Sequence, residues 1–253
     1  MSIAGFSKTT PNRTSTLCLW TRSIASLFIK RECLVCRAQL RAFETDICTA
    51  CLADLPESYT WIQSNSPADI SMWGRSRIEK VNSLFLYGGN YRRLVHSIKY
   101  KGNIRLAMRL GWMLGGKIDC QNIDFIIPVP LHPKKKRQRG YNQSELISRG
   151  LLQSFKSSNP LIAINKNILR RKNFTLTQTQ KDRVSRWENV RNAFTVDSKE
   201  ATSVSLRFSG KRPPHFLLVD DVLTTGATLD ACASLLQEAL PCKVSIATLA
   251  YVP

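Results

Sequence analysis

Four apolar residues, Phe216, Leu217, Leu218 and Val219, run directly into the acid pair Asp220-Asp221. Thr224, Thr225, Gly226, Ala227 and Thr228 follow, and a helical pattern occupies 228–240. Strand, acids, small-residue loop and helix in that order constrain the fold more than any other segment. They describe a βα unit whose loop lies at the carboxyl edge of a parallel sheet, where such folds bind ligands. Carboxylates at that edge accept hydrogen bonds from adjacent hydroxyls, such as the pair on a ribose ring. The loop lets a phosphate reach the backbone, is rich in hydroxyl donors, and opens onto the N–H groups and positive dipole end of the helix. A ribose 5-phosphate satisfies both halves. The competing reading is an ordinary strand-to-helix turn in which Asp221 or Thr225 caps the helix.

The rest of the chain supplies the partners such a unit needs. Alternation predicts a strand over 81–87, closed by Gly88 and Gly89. Tyr91, Leu94, Val95 and Ile98 recur at helical spacing and predict a helix over 91–101; a second, over 104–114, stops at Gly115-Gly116. Residues 125–130 read as a buried strand, 131–139 as a basic loop, about 144–155 as a helix, 161–169 as a further strand, and 243–250 as the last. Strands alternating with helices imply an α/β fold, a parallel sheet with helices on both faces. With 253 residues, 43% of them hydrophobic, the chain can bury one substantial core plus a small module. No internal repeat is present.

The module is marked by Cys33-x-x-Cys36 and Cys48-x-x-Cys51. Two short knuckles at this spacing bring four thiolates, Cys33, Cys36, Cys48 and Cys51, to one tetrahedral ion, with zinc the natural candidate. So small a module lacks the core to fold unaided, and the metal supplies that energy. A redox-active pair or an iron–sulfur site is the alternative. Cys18, Cys120, Cys232 and Cys242 are dispersed and read as packing residues. Paired rather than scattered cysteines suit a reducing, cytoplasmic location. The best apolar stretch, 17–29, is short and broken by Arg22, so no membrane span is expected. The first residues are basic and rich in Ser and Thr, with no acid before Glu32. They read as a leader, in a composition shared with organellar transit peptides. The expected organisation is a leader with a short helix over 1–29, a four-cysteine module over 30–57, and an α/β domain over 58–253.

The formal net charge is +19, and residues 131–191 hold fifteen Lys or Arg against three acids. That asymmetry points to a polyanionic partner, either a phosphate-rich small molecule or a nucleic acid; a solvated basic loop is the plainer alternative. Tyr141, Phe174, Trp187 and Phe194 lie among these cations, as stacking residues for a single strand or as core. Lys134-Lys-Lys-Arg137 and Arg139-Gly140 follow a strand and so reach the same carboxyl edge as the acids, where they could clamp a pyrophosphate. Ser144 reads as a helix cap, and His132 as a structural or polar-contact residue.

The 216–228 segment resembles the binding signature of type I phosphoribosyltransferases. With the four cysteines and Leu55-Pro56, Ile98-Lys99-Tyr100-Lys101-Gly102, Pro128-Val-Pro130, Arg139-Gly-Tyr-Asn-Gln143, Thr175-x-x-Gln178, Asn189-Val190 and Ala193-Phe194, the chain resembles the ComF family from about residue 26 to 250. Tyr141 departs from the phenylalanine frequent there, and Lys181 from a usual leucine. The resemblance implies a type I phosphoribosyltransferase-like sheet that binds phosphoribosyl pyrophosphate with magnesium. Asp220 and Asp221 would hold the ribose hydroxyls, Thr224 to Thr228 the 5-phosphate, and Arg139 and Gly140 would assist. A nucleophile, usually a nucleobase, would displace pyrophosphate, a glycosyl transfer belonging to nucleoside metabolism. The family's association with natural competence implies a second role, handling of single-stranded DNA beside DNA-uptake proteins. A sensor that binds the sugar phosphate without turnover is a third.

Overall fold

A computed structural model describes residues 31–63, 65–72, 76–172 and 191–253. The leader over 1–29, and Phe174, Thr175, Gln178, Lys181, Trp187, Asn189 and Val190, lie outside the described residues. The chain divides into two compact units after Asp54.

In the first unit, Leu34 N–H donates to Asp46 O at 2.9 Å and ties one cysteine knuckle to the other. Arg37 and Asp46 both adopt left-handed backbone (φ 65°), the reversals that two tight knuckles require. Glu44 organises the second knuckle, because its carboxylate accepts from Arg41 N–H (2.7 Å), Thr49 N–H (2.7 Å) and Thr49 Oγ1 (2.9 Å) at the start of helix α1, Thr49–Ala53.

The second unit begins with a capping-box helix, α2 (Pro67–Ser71), and is built on a parallel sheet. Its first strand is β1 (Ile78–Leu86), followed by helices α3 (Tyr91–Tyr100) and α4 (Ile104–Gly115). Then come β2 (Phe125–Pro128), helices α5 (Pro133–Arg139) and α6 (Gln143–Phe155), and β3 (Ala163–Ile164). A separate antiparallel hairpin, β4 (Leu169–Arg171) with β5 (Phe194–Val196), leads to α7 (Ser198–Arg207). The chain ends with β6 (His215–Leu223), α8 (Ala227–Ala239) and β7 (Lys243–Tyr251). The strand order is β1-β7-β6-β2-β3, every pair parallel.

Helices cover both faces, as the alternating pattern implies. Phe216 and Leu218 share one core with Leu229, Cys232 and Leu236 of α8. Residues of opposite parity, Leu217 and Val219, face the other way, where α6 lies against β6 and β2. On that side α4 and α6 approach so closely that a Cβ on Gly111 would lie 2.3 Å from Ile147 O, and one on Gly150 2.0 Å from Met108 O. Gly115, read as a helix stop, is the last residue of α4, and its missing side chain makes room for Ser154.

Four further expectations are corrected. The basic loop over 131–139 is largely helix α5: His132 Nδ1 accepts from Lys134 N–H at 3.2 Å, Pro133 opens the first turn, and Gly140 (φ 80°) stops it. The strand over 161–169 is two short strands in different sheets, divided where Asn165 Oδ1 accepts from Asn167 and Ile168 N–H, both at 3.0 Å. The cap of α6 is Asn142, not Ser144. Finally, β6 does not end at Val219 but continues through both acids to Leu223.

The glycine contact carries the first prediction. Gly150→Ala drives a methyl into the backbone of α4 and should cost at least about 1–3 kcal/mol, the usual range for overpacking. Chemical denaturation would read it as a lower midpoint with unchanged slope.

Candidate functional site

The site begins where the two neighbours of β6 part company. On one edge β6 stays paired with β7 up to Leu223 opposite Tyr251. On the other, β2 leaves after Pro128 opposite Val219, so that edge is open from Asp220 onward. Beyond it the chain turns through Gly226, which has left-handed backbone (φ 73°) and is itself the N-cap of α8. The capping alternative for Asp221 or Thr225 therefore fails at its first condition, since a glycine occupies the cap.

A cavity of about 50 Å³ lies there, lined by Asp220, Val222 and residues 223–229. At roughly 10–15 Å³ per water-sized group this is the room a phosphate takes. Its wall includes Thr224, Thr225, Gly226, Ala227 and Thr228, all five expected phosphate-site residues. The start of α8 brings N–H groups and a positive dipole end to the same place.

The acids separate, as consecutive strand residues must. Asp220 stands on the cavity wall, and its Oδ1 accepts from Ser144 Oγ (3.0 Å) and from the Asp221 N–H (2.8 Å). Burial, and then the adjacent charge of Asp221, push the Asp220 carboxyl up to about 7. Near neutral pH it therefore exchanges between an acceptor-only and a proton-carrying form. Asp221 turns instead toward α3, where Lys99 Nζ lies 2.8 Å from its Oδ2. The Tyr91 hydroxyl is buried nearby without a hydrogen-bond partner among the described residues, and burial followed by the Asp221 charge raises its pKa.

Arg139 and Gly140 are not on the cavity wall among the described residues. The Arg139 guanidinium lies 5.2 Å over the Tyr100 ring and donates to Gln143 Oε1 at 3.1 Å. The next residue, Tyr141, donates its hydroxyl to Ile98 O. Residues 98–100 are thus fastened to 139–144, the same segment from which Ser144 reaches Asp220. Sequence reasoning missed Lys99 and took Ser144 for a cap. The signal for Lys99 was its spacing: Tyr91, Val95 and Lys99 fall at i, i+4 and i+8, so a cation continues an apolar stripe. Of the proposed stacking residues that are described, Phe194 is core at 2% exposure, and Tyr141 is committed to Ile98.

In the first unit the Sγ atoms of Cys33, Cys36, Cys48 and Cys51 all lie within 4.8 Å of one another, and those of Cys36 and Cys48 are 3.8 Å apart. Zinc held at about 2.3 Å by each sulfur spaces a tetrahedron of thiolates about 3.8 Å apart. Backbone N–H groups of Val35 and Cys48 point at Cys33 Sγ and that of Cys51 at Cys48 Sγ, each at 3.4 Å, an arrangement that favours thiolates. The donor set fits zinc. No helix among the described residues is long and apolar enough to cross a membrane.

The chain is similar to several known proteins. A family model described as phosphoribosyl transferase domain matches residues 168–253, which contain the hairpin, the acid strand and the loop over 224–228. Competence protein ComFC of Bacillus subtilis is 24% identical over 230 residues, 87% of this chain and 84% of that protein. DNA utilization protein YhgH of Escherichia coli O157:H7 is 27% identical over 211 residues, 81% and 83% of the two chains. Competence protein F of Haemophilus influenzae is 37% identical over 117 residues, 46% of this chain and 44% of that protein. The chain is similar to ComF-family proteins over most of its length and carries a phosphoribosyltransferase-like region over 168–253. The matched region carries the cavity, whereas Lys99 and Ser144, which contact the acids, precede it.

The cysteine cluster yields the second prediction. Structural zinc contributes about 10–16 kcal/mol in small thiolate sites. Elemental analysis should find one zinc per chain, and Cys48→Ser should lose it and become protease-sensitive within 31–54.

Proposed function

We propose that the cavity and acids bind phosphoribosyl pyrophosphate with magnesium, and that the protein transfers the phosphoribosyl group to an acceptor amine or nucleobase. The observation that carries this reading is the placement of Asp220 on the wall of a phosphate-sized cavity made by Thr224–Thr228 and the start of α8. The 5-phosphate accepts from loop hydroxyls and helix N–H groups, and the ribose hydroxyls donate to the acids. In the transfer, the bond from C1 to the pyrophosphate oxygen breaks with its electron pair, the acceptor nitrogen's lone pair forms the new bond at C1, and that nitrogen gives up its proton to solvent. Magnesium bound with the pyrophosphate would offset the charge of the leaving group. The protein's part is to fix the sugar and to exclude alternatives to the acceptor. Thiolate zinc ligands suit a reducing cytoplasm, where we place the protein.

Calorimetry should show magnesium-dependent binding of phosphoribosyl pyrophosphate, reduced at least about tenfold in Asp220→Asn/Asp221→Asn. Hydrogen bonds to charged groups are worth roughly 1.5–3 kcal/mol, and 1.4 kcal/mol is tenfold. Unchanged affinity would remove the assignment. Pyrophosphate release across a panel of nucleobases and amines separates turnover from sensing.

A second reading, single-stranded DNA as a partner alongside DNA-uptake proteins, is supported by the competence and DNA-utilization names of the relatives and by the exposed cations of α5. Single-strand affinity should then fall steeply with salt. Changing Lys134, Lys135 and Arg137 to Ala should flatten the log–log slope by about 2, at roughly 0.7 per phosphate contact. Salt-insensitive binding, or none, rules this reading out.

A further inference from the structure

Lys99 occupies a place that folding alone does not explain. It lies in the last turn of α3, where a lysine ordinarily supports the helix dipole from solvent. Here its side chain is 24% exposed, and its ammonium ends 2.8 Å from a carboxylate that is 9% exposed. Pairs taken this far out of water return little net stability, because desolvation offsets the attraction. The ammonium is also held at one spot from outside the helix: Tyr141 fastens Ile98, and Arg139 covers Tyr100, on either side of Lys99.

The chemistry at that spot is specific. If an acid accepts the C2 hydroxyl of a ribose, the oxygen on C1 is on the adjacent carbon. In the donor that oxygen carries pyrophosphate. Asp221, on which the cation rests, directly follows Asp220 of the cavity wall, and the four-carbon stem of lysine lets the ammonium swing from the one acid toward an anion held beside the other without displacing the backbone. Without it, a multiply charged anion would have to settle beside two adjacent carboxylates. The Lys99 charge acts on Asp220 as well as on Asp221, so one ammonium addresses both acids.

We propose that Lys99 serves two anions in turn, Asp221 in the arrangement described here and the pyrophosphate of the bound donor, and so selects the donor over the bare sugar phosphate. This rests on the donor-binding reading above. Ribose 5-phosphate, which has a hydroxyl at C1, is the control ligand, because it uses the same cavity and acids but offers nothing to Lys99.

The experiment measures binding of phosphoribosyl pyrophosphate, with magnesium, and of ribose 5-phosphate to the full chain and to Lys99→Met. The donor should weaken at least tenfold, while ribose 5-phosphate changes by less than threefold. Lys99→Gln, which keeps a long polar side chain beside Asp221 without the charge, should show the same loss of selectivity and guards against a misfolded variant. A parallel change for both ligands, or an unchanged ratio, overturns the role of Lys99 and leaves the donor reading standing. Wild-type protein that binds neither ligand overturns the donor reading itself, and the inference with it.

Discussion

Everything about the site follows from the unequal lengths of the two strands beside β6. Pairing with β7 carries β6 rigidly to Leu223, well past the last residue that β2 matches, Val219. Asp220 and Asp221 are therefore held by a continuous ladder on one edge and are open on the other. Had both neighbours stopped together, the acids would sit on a loop with loop freedom. Had both continued, Asp220 would be buried in a ladder with no cavity beside it. The asymmetry gives carboxylates the precision of a strand and the access of a loop.

That rigidity sets an electrostatic problem, which the helices answer from separate directions. Two adjacent acids at a buried edge repel one another, and burial disfavours charge on either. Lys99 supplies charge to Asp221 from α3, and Ser144 supplies a hydrogen bond to Asp220 from α6. The two supports are joined through the contacts of residues 98–100 with 139–141. The α4–α6 contact, drawn tight by Gly111, Gly115 and Gly150, sets the position of the helix that carries Ser144. A displacement there would reach Asp220 through one hydrogen bond.

The parts that sequence made legible are those whose cause is local. Tyr91, Leu94, Val95 and Ile98 are buried on α3 because helical spacing and burial are the same geometry. The strand at 216–219 and the four-cysteine cluster were equally readable, since periodicity or ligand spacing defines each. Helix α5 was missed because it buries no residue, so hydrophobic pattern had nothing to report; only His132, Pro133 and Gly140 mark its ends. Ser144 was misread because the local cap and the long-range bond to Asp220, 76 residues away, call for the same residue type. The glycines of α4 and α6 were opaque for a related reason: a missing side chain gains meaning only from the backbone that fills its space.

Charge shows the same limit from the other side. Fifteen cations over 131–191 suggest a broad field, but the fold assigns several of those described to particular partners. Lys136 pairs with Glu145 at 2.9 Å and Arg170 with Asp197 at 2.7 Å, while Arg139 and Arg171 lie over the rings of Tyr100 and Phe194. What remains conspicuous on α5 is a short exposed row, Lys134, Lys135 and Arg137. A row that small suits an extended anion passing over it, or one end of a larger contact, better than a surface that wraps a duplex. Net charge counts every cation alike, whereas recognition depends on those that the protein has not already engaged.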